Sequence, residues 1–364
     1  MNTTTDVLPM PMTSNVFTTG ILGIVLVLII AALCIFPFTI HFFIDWVAMA
    51  FMAATPTQII LTSLWENKKP QFINTLSPQV KGVTLTLITM LAAMIVFKGI
   101  LLFLSGGHGI TPMVIQYTII TVIVTLWLIP IWECWPFNKI SENPTTFGLL
   151  LLVSVYPFAY VLWTIFFDYS HLGEVGFKNY YEDIDPKGMF DMWQALTFAV
   201  TTSGVVIVHT LFDFWPINKL CGRAVQPLRG IISTVYILLI SWFIYYLFVT
   251  LLGMDQVDYM IRVPVCMIFG SLLINNMMQG RLFTGIAQPI RGLLLMACCV
   301  LLALLMRELY AFASTLHAGY ELGTGPKNGF AQEIWIASAM LGVTFPIIFV
   351  VSGFFDFWPI QREK

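Results

Sequence analysis

Three heptapeptides carry the residue types most capable of chemistry, and they share one pattern: acid, any residue, Trp, Pro, apolar, amide, base. They are Glu133-Cys134-Trp135-Pro136-Phe137-Asn138-Lys139, Asp213-Phe214-Trp215-Pro216-Ile217-Asn218-Lys219 and Asp356-Phe357-Trp358-Pro359-Ile360-Gln361-Arg362. A carboxylate near the end of an apolar stretch can relay a proton, attract a cation or pair with a base. His209 precedes Asp213 by four residues, so on a helix the two share a face. His41 and Asp45 repeat that spacing near the opposite end of another span, and a His-acid pair at each membrane face is what a proton-linked path needs. Thr201-Thr202-Ser203-Gly204, in the span that carries His209, offers hydroxyl groups, or a site where a helix loosens around a substrate. Close helix packing through small residues is the alternative for that patch.

The acids have a structural reading as well. A carboxylate at a helix C-terminus meets the negative end of the macrodipole and needs an offset. Lys139, Lys219 and Arg362 close the motifs, and Arg229 and Arg291 open later spans, so an ion-pair lattice at the rim of the membrane accounts for the same acids. Lys98 lies inside a span near its outer end, where it either snorkels or serves the path with His41 and Asp45. Gln116, Gln194, Asn275 and Asn276 read as interhelical hydrogen-bond glue.

These residues sit on apolar elements. Of 364 residues 58% are hydrophobic and only 10% charged, against about 25% charged in a soluble domain, so the chain reads as an all-α polytopic membrane protein. The net charge of −2 provides no basic surface for nucleic acid. Ten stretches approach the roughly 20 apolar residues of a span, near 16–37, 40–64, 82–104, 112–133, 146–167, 191–213, 230–252, 260–278, 290–311 and 331–356. Residues 1–15 contain no Lys or Arg, so the first span is expected to be retained rather than removed as a signal peptide.

Each Trp-Pro motif closes an even-numbered span, and Gln226-Pro227-Leu228-Arg229-Gly230 and Gln288-Pro289-Ile290-Arg291-Gly292 open spans seven and nine. Pro78 with Lys81-Gly82 is a looser copy, and Trp65 with Asn67-Lys68 resembles the motif in the first unit. The expectation is a single membrane domain over 1–364 made of five parallel two-helix hairpins, at about 16–67, 78–139, 144–219, 226–280 and 288–362. Eleven Lys and Arg fall at the motif end, five at the other, and Lys98 lies within a span, so both termini are expected in the cytoplasm of a bacterial-type inner (plasma) membrane.

A permease, and specifically an ion- or proton-linked secondary transporter of a small solute, is the first functional expectation. A membrane subunit or anchor of a larger, redox-type complex is the second, with partner subunits. Haem between facing helices needs paired ligands, and His41 and His209 lie towards opposite faces. A lipid-modifying intramembrane enzyme is the third, although no hydrolase or metalloprotease motif appears and a non-enzymatic role is preferred. The six cysteines include no Cys-x-x-Cys, and no metal or cofactor is expected. The expected partners are the lipid bilayer and a small-molecule or ion substrate.

Overall fold

In the computed structural model, residues 14–65, 71–105, 109–170 and 184–360 are described. The expected rim base Arg362, with Gln361 of the same motif, and Asn67-Lys68 of the first unit lie outside these residues. The described residues form ten apolar helices: α1 (Ser14–Ile35), α2 (Ile40–Ser63), α3 (Pro78–Leu104), α4 (Pro112–Leu128), α5 (Pro144–Phe166), α6 (Met192–Leu211), α7 (Leu228–Leu251), α8 (Gln256–Met277), α9 (Ile290–Ala318) and α10 (Ala331–Phe354). Nine of these are long and apolar enough to cross a bilayer, and α4 is slightly shorter at 17 residues. The chain is an all-α, multi-pass membrane protein. One two-residue parallel pairing, Phe167–Asp168 with Phe190–Asp191, joins the end of α5 to the start of α6.

Several helix boundaries follow from local chemistry. Pro78, Pro112 and Pro144 each occupy the first turn, where a missing N–H costs nothing. Thr111 caps α4 through the Val114 N–H, Asn143 caps α5 through Thr145, and Asp191 caps α6 through Trp193. Gly319, at φ 75°, ends α9 in the left-handed conformation. That stop lies beyond the expected span end at 311, and Arg307 and Glu308 pair with each other within the helix.

The helices separate by burial into two layers. Along α1, α3, α5, α7 and α9 only 17–33% of the span is buried, and their outer faces carry Leu102, Phe103, Val153, Leu239 and Leu301, which suits a lipid-facing layer. Along α2, α6, α8 and α10 the buried share is 67–78%, and α4 is buried over most of its length. These five inner helices touch in the closed order α2–α4–α6–α8–α10–α2. Each outer helix lies against the inner helix before it, α3 on α2, α5 on α4, α7 on α6 and α9 on α8, while α1 completes the circle on α10.

The outer helices begin where the inner ones end. Pro144 at the start of α5 accepts a 2.9 Å hydrogen bond from Trp65 Nε1, just past α2. The start of α7 meets Trp132 beyond α4, that of α9 meets Phe212 beyond α6, and that of α3 meets Phe355 beyond α10. Gly20, early in α1, packs on Met277 and Met278 at the end of α8. Short π-helical turns interrupt α2 (Phe43–Ala48), α8 (Ile261–Val265 and Leu273–Met277) and α10 (Ser338–Thr344 and Val350–Phe354). Such widened turns are a recognised source of bends in helices.

Candidate functional site

Two regions concentrate polar side chains: the joints at the motif end and the interior of the helix ring. The joints are built alike. In all three motifs the acid and its successor have positive φ: Glu133 48° and Cys134 62°, Asp213 51° and Phe214 57°, Asp356 47° and Phe357 61°. The chain therefore leaves the helix through two left-handed residues, and the acid stands beyond the last helical turn. Helix closure is provided by the Cys134 N–H on Leu128 O (2.8 Å), Phe214 on His209 O (2.9 Å) and Phe357 on Val351 O (3.0 Å). The motif amide ties the turn down, Asn138 Nδ2 donating to Glu133 O at 2.8 Å and Asn218 Nδ2 to Asp213 O at 2.9 Å.

A Gln-Pro-x-Arg-Gly segment closes on two of these turns. Gln288 Nε2 donates to Asp213 Oδ2 (2.7 Å) and to Leu211 O (3.2 Å), and Arg291 Nη1 lies 3.3 Å from the same carboxylate. Gln226 Nε2 donates to Ile131 O (3.1 Å) and reaches Glu133 Oε2 at 3.5 Å, while Arg229 Nε lies 3.2 Å from Glu133 Oε1. The glutamine oxygens accept from Gly230 N and Gly292 N, both at 3.0 Å. Arg229 also donates to Asn218 Oδ1 (2.7 Å), and Arg291 to Gly280 O (2.7 Å).

The glycines make these joints fit. A Cβ on Gly292 would fall 2.2 Å from the Phe212 ring, one on Gly230 2.8 Å from Trp132, and one on Gly82 2.7 Å from Phe355. Each ring belongs to the residue before the motif acid. Spacing along the chain does not predict that aromatic-glycine contact, although the Gly closing both Gln-Pro-x-Arg-Gly segments is its signal. Lys139, Lys219 and Asp356 are exposed, and among the described residues no base pairs with Asp356.

His209 does not join Asp213. Its Nδ1 lies 2.7 Å from Val205 O and its ring meets Tyr236 edge-on, between α6 and α7. Thr201, Thr202 and Ser203 form no loosened segment: their hydroxyls return to Thr197 O and Ala199 O along a regular helix. Gly204 faces Pro264 of α8 at contact distance. Of this patch Ser203 lines the interior cavity, and Thr201 Oγ1 lies 3.2 Å from Tyr259 OH. His41 and Lys98 are exposed on outer surfaces, and Asp45 is partly buried in the first π-turn. His317, outside the expected spans, is more firmly held. Trp335 Nε1 donates to its Nδ1 (3.0 Å), so Nε2–H donates to Phe38 O (2.7 Å), linking α9, α10 and the elbow after α1.

The ring encloses a cavity of about 250 Å³ lined by all five inner helices, including Met52, Val122, Val200, Val265 and Leu341. Its lining residues carry no charge, and its polar members are Thr55, Gln116, Ser203 and Ser338. Towards the end away from the motifs it reaches Trp193 and Val257, which also floor an open cleft containing Asp168, Asp191 and Asp255. The cleft acids are all engaged locally, since Asp191 and Asp255 cap α6 and α8, and Asp168 accepts from Ser170. The Ser170 hydroxyl and N–H hold the Asp168 carboxyl below its ordinary value of 3.8. Among the described residues no cluster of His, Cys, Asp or Glu has the geometry to hold a metal.

The chain matches no protein-family model, and neither a curated protein nor a solved structure was found that matches it.

Proposed function

We propose that the protein is a permease that passes a small uncharged solute along the axis of the helix ring. The observation that carries this reading is the closed ring of five inner helices around an apolar cavity with no charged lining residue, which shares Trp193 and Val257 at one end with an open polar cleft. An unpaired ion would lose its hydration in such a cavity at a cost of many kcal/mol, whereas a neutral solute loses little. The acids and His209 expected to carry protons stand outside the lining, which favours facilitated passage over ion-coupled accumulation. In the same proposal the chain comprises five parallel hairpins, each joined at the rim to the hairpin two places away, with the Lys- and Arg-rich motif end in the cytoplasm of a plasma membrane. An acid-paired lattice at that rim then serves assembly rather than transport.

Purified protein in vesicles tests this by stopped-flow light scattering. Short uncharged amides and alcohols equilibrate faster than in protein-free vesicles, salts do not, and an imposed proton or sodium gradient produces no accumulation. Equal rates with and without protein across the panel would refute the permease reading.

A further inference from the structure

Two groups on the cavity's polar members have no hydrogen-bond partner among the described residues, the Ser338 hydroxyl and the Gln116 amide nitrogen, and only the second is held in a fixed orientation by its neighbours. Gln116, near the start of α4, is 3% exposed and lines the cavity. Its orientation is fixed by a two-step chain. Trp163 Nε1, which can only donate, gives its proton to Tyr169 OH at 2.8 Å, and the tyrosine hydroxyl donates its own proton to Gln116 Oε1 at 2.8 Å. A flipped amide would leave the Tyr169 proton facing a donor, so the oxygen is the group turned towards Tyr169 and the NH₂ is the other. Among the described residues Nε2 has no hydrogen-bond acceptor. The hydroxyls of Thr55 and Ser203, by contrast, are returned to Phe51 O and Ala199 O of their own helices.

We infer that Gln116 Nε2 is the recognition point of a ligand site in the central cavity, whose ligand is a small uncharged molecule with an apolar body and one hydrogen-bond-accepting oxygen, such as a carbonyl. The inference deepens the permease reading by naming its solute class. Stripping water from a carbonyl is the main barrier to its entry into hydrocarbon. A preset N–H donor in a mostly apolar compartment replaces that water, and the Tyr169–Trp163 chain prevents the amide from rotating to satisfy itself. The volume matches the class: an apolar cavity of about 150 Å³ accepts benzene, so about 250 Å³ accommodates a substituted ring or a short branched chain.

A matched pair of probes tests this by equilibrium binding, independently of transport. Acetophenone and α-methylstyrene have nearly the same shape, and only the first has an acceptor oxygen. Binding is read by headspace gas chromatography over protein in nanodiscs, with empty nanodiscs subtracted. The wild type is expected to bind acetophenone about fivefold more tightly than α-methylstyrene, the value of one ordinary net hydrogen bond. Gln116→Leu should abolish that preference while binding α-methylstyrene within about twofold of wild type. Tyr169→Phe, which frees the amide to rotate, should reduce the preference in part. Equal binding of the two probes by the wild type, or no binding of either, would overturn the site without requiring any variant to fold. Probe discrimination without solute flux would retain the site and refute the permease; flux without discrimination would do the reverse.

Discussion

Replacing Asp213 by Asn and Gly292 by Ala separates charge from packing at a single joint. Asp213 is the motif acid with the most complete partner set, yet its side chain is 62% exposed, and Arg291 approaches it at 3.3 Å. An exposed pair of this kind contributes about 0–1 kcal/mol. Asn retains an oxygen that can accept from Gln288 and is well tolerated at the positive φ of 51°. Asp213→Asn is therefore expected to cost under about 1 kcal/mol and to leave solute flux unchanged, because the residue lies outside the cavity lining. Gly292→Ala adds one methyl whose carbon would begin 2.2 Å from the Phe212 ring. Either the ring rotates away or α9 moves outward, and overpacking of this kind costs about 1–3 kcal/mol. Thermal unfolding of both variants in the same detergent, followed by tryptophan fluorescence, ranks them. The expected order is wild type close to Asp213→Asn, with Gly292→Ala clearly lower. An Asp213→Asn protein that melts well below Gly292→Ala, or folds normally but loses flux, would refute the assignment of this acid to a packing joint.

Other perturbations address separate parts of the molecule. His317→Phe keeps the ring contacts with Phe43 and Trp335 but removes both hydrogen bonds, leaving Trp335 Nε1 and Phe38 O unpaired; a loss of about 1–3 kcal/mol is expected in chemical or thermal unfolding. The Asp168 carboxyl, held low by Ser170, contributes stability that is present above its ordinary value of 3.8 and is lost as pH falls through the lowered folded value. Hydrogen-exchange protection of the Ser170 amide, which donates to Asp168, taken relative to its intrinsic exchange rate at each pH, should therefore fall below about pH 4 in wild type, and Asp168→Asn should make that protection less dependent on pH over that range.

Much of the membrane architecture is legible in composition, because a 20-residue apolar run has few other solutions. The ten stretches correspond to α1 to α10, with the main shift at α9, which continues to Ala318. The acid-x-Trp-Pro motif marks the places where helices end, but its geometry is not readable from spacing. Helix periodicity places Asp213 on the face of His209, whereas the chain has already turned into the left-handed region at the acid, so the i,i+4 rule no longer applies. The joints between distant segments, Glu133 with Arg229 and Asp213 with Arg291, are among the ways the sequence offers to offset the acids. The aromatic-glycine contacts beside them depend on which helices become neighbours, which no local pattern encodes. Gln116 reads as interhelical glue, and half of it is: the oxygen meets Tyr169, and only the fold shows that the residue lines the cavity while its nitrogen has no acceptor among the described residues.

Passage of solute through the helix ring is tested most directly by obstructing the cavity. Val200, on α6, is buried and lines the cavity, so Val200→Trp places an indole in the path while leaving the rim joints intact. Flux of a short uncharged amide is measured in vesicles containing equal amounts of folded wild-type or variant protein. The variant is expected to fall to the protein-free rate; wild-type flux through a folded, obstructed ring would contradict passage along the axis.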